Sequence, residues 1–306
     1  METQPSDHEV MKLPAILTRH TEPVRGEVSE RALVLGGGGV TGVAWEIGML
    51  AGLAEAGINL SSADRVIGTS AGAIVAAQIS SGATLEELYT RQLEPPAGEQ
   101  AARIGARVLL HYASAYLRAR GEPTAIGRQL GAASIRAAAA GRTPALAERL
   151  ALISSRLATD VWPDRDLRVT AVNALTGAFR VFTGQDEVSL RDAVAASCAV
   201  PSVFPPVPID TVPYIDGGSR SSANADLAHG CSRVVVLSPM PRGTRGASPQ
   251  AQVDALAVPA VVVSPDRDAL TEIGHNTLDP TARRGAAIAG RAQARTICDR
   301  VKAVWD

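Results

Sequence analysis

Short apolar runs alternate along this chain with longer stretches whose apolar residues recur at helical spacing, and that alternation sets the expected fold. Arg31-Ala32-Leu33-Val34-Leu35 is a run of strand formers that ends at Gly36-Gly37-Gly38-Gly39, and residues 40–50 then read as a helix. Asp64-Arg65-Val66-Ile67 repeats the strand signal, and 73–79 repeats the helical one. Further strands are predicted at 167–172, 178–182, 233–237 and 260–264, with Leu175-Thr176-Gly177 as a hairpin turn between the first two. Thr84 followed by Glu87, and Ser189 followed by Asp192, mark helix starts of the capping-box kind. The segment 201–207 reads as a rigid proline-rich loop, 225–229 as a short helix ending at Gly230, 239–243 as a flexible stretch, and 266–301 as a return to helix. Strand-loop-helix-strand units of this kind cross over right-handed and place their strands parallel. The expectation is an α/β fold of three α/β/α layers around a mainly parallel sheet.

One long segment departs from the alternation. Residues 99–156 are Ala-rich and helical in texture, and carry Arg103, Arg107, Arg118, Arg120, Arg128, Arg136, Arg142, Arg149 and Arg156 against Glu99, Glu122 and Glu148. Apolar clusters interleave them, among them Val108-Leu109-Leu110 and Tyr112, Tyr116, Leu117. Two readings stay open: a basic amphipathic insertion that meets an anionic membrane as a lid, or a solvated helical layer over the sheet.

Size and composition fit one large domain. With 306 residues and 46% hydrophobic content, residues 31–306 can bury a single core, with the helical insertion at about 97–158. Residues 1–30 show no sustained pattern and are expected to be an extension, partly disordered. A formal net charge of -1 speaks against nucleic acid as a partner. Cys198, Cys231 and Cys298 are scattered without ligand spacing, so neither a metal nor another cofactor is expected, and a reducing compartment fits them. No apolar stretch reaches the ~18 residues of a membrane span. A cytoplasmic protein, at most peripheral at a membrane, is the expectation.

Candidate chemistry centres on Gly68-Thr69-Ser70-Ala71-Gly72, which sets a serine where a strand turns into a helix. Such a turn strains the serine, and the flanking Gly68 and Gly72 let strand and helix pass close. The helix N-terminus beneath the hydroxyl favours negative charge there. Gly37, Gly38 and Gly39, followed by Gly42 in the next helix, form a second loop of the same sheet edge. Backbone N–H groups opening a helix bind anions, and beside a nucleophile each could remove about 3 kcal/mol of barrier by holding an oxyanion. Gly37-x-Gly39-x-x-Gly42 also matches a dinucleotide-binding pattern, but no acidic residue ends the second strand as that pattern requires. Asp216, before Gly217 and Gly218, is either a turn residue or a base for Ser70. His229 near a helix end fits a dipole partner, whereas Ser70, Asp216 and His275 stand in the chain order of an α/β-hydrolase triad.

Taken in order, the glycine loop 37–42, the pentapeptide 68–72, the segment 195–207 and Asp216-Gly217-Gly218 resemble the patatin-like phospholipase family from about Arg31 to His275. The resemblance implies the patatin-like fold, a Ser-Asp dyad with Ser70 as nucleophile and Asp216 as general base, and Gly37, Gly38 and Gly39 as the oxyanion loop. It also implies a lipid or other fatty-acyl ester as substrate, with an acyl-enzyme on Ser70. Thr41 stands where many members carry Arg or Lys, and Asn173 where relatives often place Asp. Two alternatives accompany this reading: an esterase using the Ser70-Asp216-His275 triad, and a non-catalytic lipid-binding relative.

Overall fold

The computed structural model describes residues 31–96, 101–103, 105–240 and 248–306. Strand β1 (Arg31–Leu35) feeds helix α1 (Gly39–Glu55), and β2 (Arg65–Gly68) feeds α2 (Ala71–Ser80), followed by α3 (Leu85–Leu93). Three helices, α4 (Ala106–Arg118), α5 (Pro123–Ala139) and α6 (Leu146–Arg156), intervene before β3 (Asp166–Asn173) and β4 (Phe179–Phe182). Then come α7 (Leu190–Ser197), β5 (Val207–Ile209), β6 (Val212–Asp216), β7 (Arg233–Leu237), α8 (Pro249–Asp254), β8 (Ala260–Val263), α9 (Arg267–Ile273) and α10 (Arg283–Trp305). The expectations for the extension 1–30 and for 239–243 beyond Met240 lie outside the described residues.

The sheet is mainly parallel: β3, β2, β1, β7 and β8 run the same way, and β4 and β6 run against β3. Alternate side chains divide between its two faces. Leu33, Leu35, Val66, Leu167, Val169, Val235 and Leu237 join the core under α1, α2, α7 and α10. Ala32, Val34, Ile67, Val234 and Val236 face the other way, onto 223–228 and Val253 of α8. Both faces of β1 are therefore buried, which is why its sequence reads as an unbroken apolar run. Further along, Val172 and Ile215 pack on Ile126 and Leu130 of α5. These are the three layers that the alternation predicts.

Two strand ends meet on one edge of β3. Val169 pairs with Gly68 of β2 and with Phe182 of β4, so those two strands lie on opposite sides of β3. Ala171 pairs with Arg180 of β4 and with Asp216 of β6, which places β6 on the β2 side. Running in opposite directions, β2 and β6 stop head to head, with Thr170 opposite the gap. The chain leaves β2 through Thr69-Ser70 and leaves β6 through Asp216-Gly217.

Local signals account for most helix boundaries. Thr84 and Glu87 close a full capping box on α3. Ser189 caps α7 through the Asp192 N–H, but the Asp192 carboxylate turns to Arg191, so the box closes on one side. The 225–229 segment is a 3-10 turn, shorter than the helix expected there. Asn173 accepts the N–H groups of Leu175 and Thr176 and so shapes the β3–β4 hairpin. Helices α1 and α10 approach to backbone contact at Gly48, where a Cβ would stand 2.1 Å from the Ala287 carbonyl oxygen. Trp45 Nε1 donates to Gln293 Oε1 at 3.0 Å across the same contact. Among the described residues no helix is long and apolar enough to cross a membrane.

Candidate active site

Ser70 occupies φ 54°, ψ −115°, between the end of β2 and the first turn of α2. A left-handed φ of this kind costs about 1–3 kcal/mol in a residue with a Cβ and persists only where its surroundings enforce it. Here they do. The Ser70 N–H donates to Ser197 Oγ at 2.9 Å, and its carbonyl accepts from Cys198 Sγ at 3.2 Å, so the end of α7 grips both sides of the peptide. Gly72 lets α2 descend onto β1, since a Cβ there would lie 2.1 Å from the Leu35 carbonyl oxygen. Gly68 is as tightly placed, 2.6 Å from the Ala73 Cα by the same measure. Ser70 is only 7% exposed.

Asp216 is buried, its N–H donating to the Ala199 carbonyl and its Oδ1 accepting the Gly218 N–H at 2.7 Å. Burial pushes its carboxyl up to about 6, against the pull of hydrogen bonding from the Ser70 hydroxyl and the Gly218 N–H and of the Arg149 charge. The strand-end meeting is locked by a buried polar network. Thr69 and Thr170 hydroxyls hydrogen-bond at 2.9 Å, and Asn224 Nδ2 donates to Thr69 Oγ1 and to the Ser221 carbonyl, both at 3.0 Å. Gly217 must pass directly over Thr170, because a Cβ would fall 2.2 Å from its Oγ1. Tyr112 of α4 packs in the cluster that holds Ile215, the residue before Asp216, and its phenol is pushed up by burial and by the Asp216 charge.

The glycine loop divides its donors. Gly36 N–H donates to the Leu237 carbonyl at 2.9 Å and Gly37 N–H to the Ser222 carbonyl at 2.7 Å, so both are committed to the sheet and the loop beside it. Among the described residues, the N–H groups of Gly38, Gly39 and Ala71 have no protein acceptor. Gly39 holds φ 63° with its missing Cβ 2.5 Å from the Thr277 carbonyl oxygen, and Gly38 is pressed against Pro239 in the same way. A Cβ at Gly42 would stand 3.3 Å from the Pro239 Cβ and 3.5 Å from the Ala71 Cβ. Thr41, at the position where relatives carry a cation, is fully buried, with its hydroxyl directed to the Thr277 carbonyl at 3.4 Å.

A cavity of about 30 Å³ opens at Ser70, walled by Ile74, Val200, Phe204 and Leu278 and by Arg149 and Arg156. The Arg149 guanidinium lies 3.8 Å from the Phe204 ring centroid and donates to the Cys198 carbonyl. Val40, Ile74 and Arg156 also line a neighbouring cavity of about 210 Å³.

The structure thus brings Ser70, Asp216, Gly217, Gly218 and the 37–39 loop to one place. It separates His229 and His275 from them. The His229 carbonyl accepts from Arg65, the first residue of β2, at the far end of that strand from Ser70. His275 is exposed and lies off the walls of the Ser70 cavity. Thr170, Asn224 and Arg149 had no sequence signal, because each comes to the site from a distant segment without a motif of its own, and Ser197, inside the 195–207 segment, carried no sign that it would hold the Ser70 N–H.

The sequence model of patatin-like phospholipases matches residues 33–229, and the chain belongs to the patatin-like phospholipase family, a family of lipid hydrolases. In backbone it is similar to VipD from Legionella pneumophila, with TM-score 0.46 and 15% identity over 89% of this chain and 67% of that one. It is also similar to the type III effector protein ExoU, with TM-score 0.39 and 18% identity over 90% of this chain and 54% of that one. ExoU in complex with SpcU, from the type III secretion system of Pseudomonas aeruginosa, gives TM-score 0.34 and 19% identity over 87% and 53%. The chain therefore spans about two thirds of the length of VipD and about half that of ExoU. No curated protein sequence matches it.

Proposed function

We propose that the protein is a lipid acyl hydrolase working through a Ser-Asp dyad. The observation that carries this reading is the strained Ser70 set against a buried Asp216 whose carboxyl is raised to about 6. An ordinary aspartate, near 3.9, is a weak base for a hydroxyl. Raised to about 6, it remains ionised at neutral pH and gains basicity.

On this reading Ser70 Oγ attacks the ester carbonyl while its proton passes to Asp216. The negative charge on the carbonyl oxygen falls to the N–H groups of Gly38, Gly39 and Ala71, which have no acceptor among the described residues to give up. Asp216 then returns the proton to the departing alcohol, leaving an acyl ester on Ser70. Water, losing a proton to Asp216, releases the fatty acid and restores the serine. The apolar wall of Ile74, Val200, Phe204 and Leu278 suits an acyl chain. The substrate is then a fatty-acyl ester of a lipid, met at the periphery of a membrane.

Labelling with a fluorophosphonate, followed by peptide mapping, tests nucleophile and enzyme status together. Label is expected on Ser70, and Ser70→Ala is expected to remove both the label and hydrolysis of a p-nitrophenyl acyl ester while keeping the native circular dichroism. Wild-type turnover in a folded Ser70→Ala would sink the proposal.

A further inference from the structure

We infer that α4 is the lipid-docking surface of the protein, and that seating its leucine face in an anionic bilayer brings the adjacent Ser70-Asp216 site onto lipid. The inference rests on the lipid-hydrolase reading and adds where the membrane is met. Its first support is the division of the helix into two faces. Leu109, Leu110 and Leu117 are 59%, 68% and 79% exposed, three large apolar side chains presented to water by one element. On the opposite face Ala115 is buried and Tyr112 and Tyr116 are half-buried, packed toward Ile126, Leu130 and Ile215. Leaving three leucines in water is unfavourable for any helix that stays where it is, and burying them in an acyl boundary recovers that free energy.

The second is the place of the helix: Tyr112 and Tyr116 pack in one cluster with Ile215, the residue before Asp216, so a bilayer met by α4 lies beside the site. Charge selects the occupant. Across 101–121 the residues of formal charge are Arg103, Arg107, Arg118 and Arg120, with no acidic residue among them, which complements an anionic lipid surface.

The test uses vesicles of non-hydrolysable ether-linked phosphatidylglycerol or phosphatidylcholine, with the full chain. The wild type is expected to co-sediment with the anionic vesicles, less so at high salt, and to take fluorophosphonate on Ser70 at least about tenfold faster in their presence. The variant Leu109→Ser/Leu110→Ser/Leu117→Ser is expected to lose sedimentation and acceleration while labelling at the wild-type rate without vesicles, which also reports that it is folded. Label on Ser70 at a rate indifferent to vesicles, or equal sedimentation of the two proteins, overturns the inference. So does light scattering that shows a dimer which the leucine variant dissociates, since a second copy would then cover the helix. If Ser70 takes no label under any condition, the hydrolase reading fails, and sedimentation alone still decides the docking surface.

Discussion

Asp216 holds its proton more tightly in the folded chain than an ordinary aspartate does, because burial outweighs its hydrogen bonds and the Arg149 charge. Two consequences follow with opposite signs. As a base it must be ionised, so kcat/KM on a soluble ester is expected to rise with pH through an acid limb near 6. For stability, the folded state binds the proton between about 4 and 6 while the unfolded chain has already released it. The contribution of Asp216 is therefore fully present below about 4 and is lost as pH rises through 6. Asp216→Asn should lower kcat/KM by about 10²–10⁴-fold. At pH 7.5 the same variant should unfold at a higher temperature than wild type, with a gain of up to roughly 3 kcal/mol. Its Asn Oδ1 can still accept the Gly218 N–H. An Asp216→Asn protein that keeps its activity, or unfolds earlier at neutral pH, contradicts this.

At the scale of elements, the site exists because β2 and β6 end head to head on one edge of β3, and Thr170 is the joint. Its hydroxyl bonds Thr69 and lies beneath Gly217. Thr170→Val keeps the volume and removes the oxygen, leaving the buried Thr69 hydroxyl and the Asn224 amide short of a partner. Such a loss costs about 1–3 kcal/mol. Because the joint sets the distance between Ser70 and Asp216, kcat should fall several-fold while KM for a short-chain ester changes little. Denaturant unfolding and steady-state kinetics on one preparation separate the two effects, and equal stability with unchanged kcat would remove Thr170 from this role.

For the whole molecule, a second buried acid acts in the same direction as Asp216. Glu46 of α1 is fully buried, and loss of solvent holds its carboxyl well above the usual carboxylate range. Folded protein retains that proton where unfolded chain does not, so stability should fall as pH rises above about 4.5. Thermal unfolding across pH 5 to 8 is expected to show this slope in wild type, a shallower slope in Glu46→Gln and the shallowest in the double variant with Asp216→Asn. A slope unchanged by Glu46→Gln would mean that the carboxyl is not held neutral. The distribution of histidines yields a further expectation. His275→Ala and His229→Ala should keep most ester hydrolysis, and a chelator should leave the rate unchanged. Loss of activity in a folded His275→Ala would move the protein to a triad mechanism, and recovery by a divalent ion after chelation would add a metal.

The chain's own pattern determined the strands, because β1 and β7 are buried on both faces and read as unbroken apolar runs. It also marked the turns: Gly39 holds a positive φ, and Gly68, Gly72 and Gly217 leave no room for a Cβ, so their identity shows in the sequence. Helix starts such as Thr84 with Glu87 were legible because capping is local. Distance in space was not. That β6 runs against β3 and stops opposite β2, that Ser197 holds the Ser70 N–H, and that Gly37 spends its own N–H on Ser222 depend on pairings between segments far apart in the chain. The burial that raises Asp216 and hides Ser70 comes from α6, the end of α7 and the loop after it closing over the sheet edge. No residue carries that information by itself, since desolvation is a property of everything packed around a group.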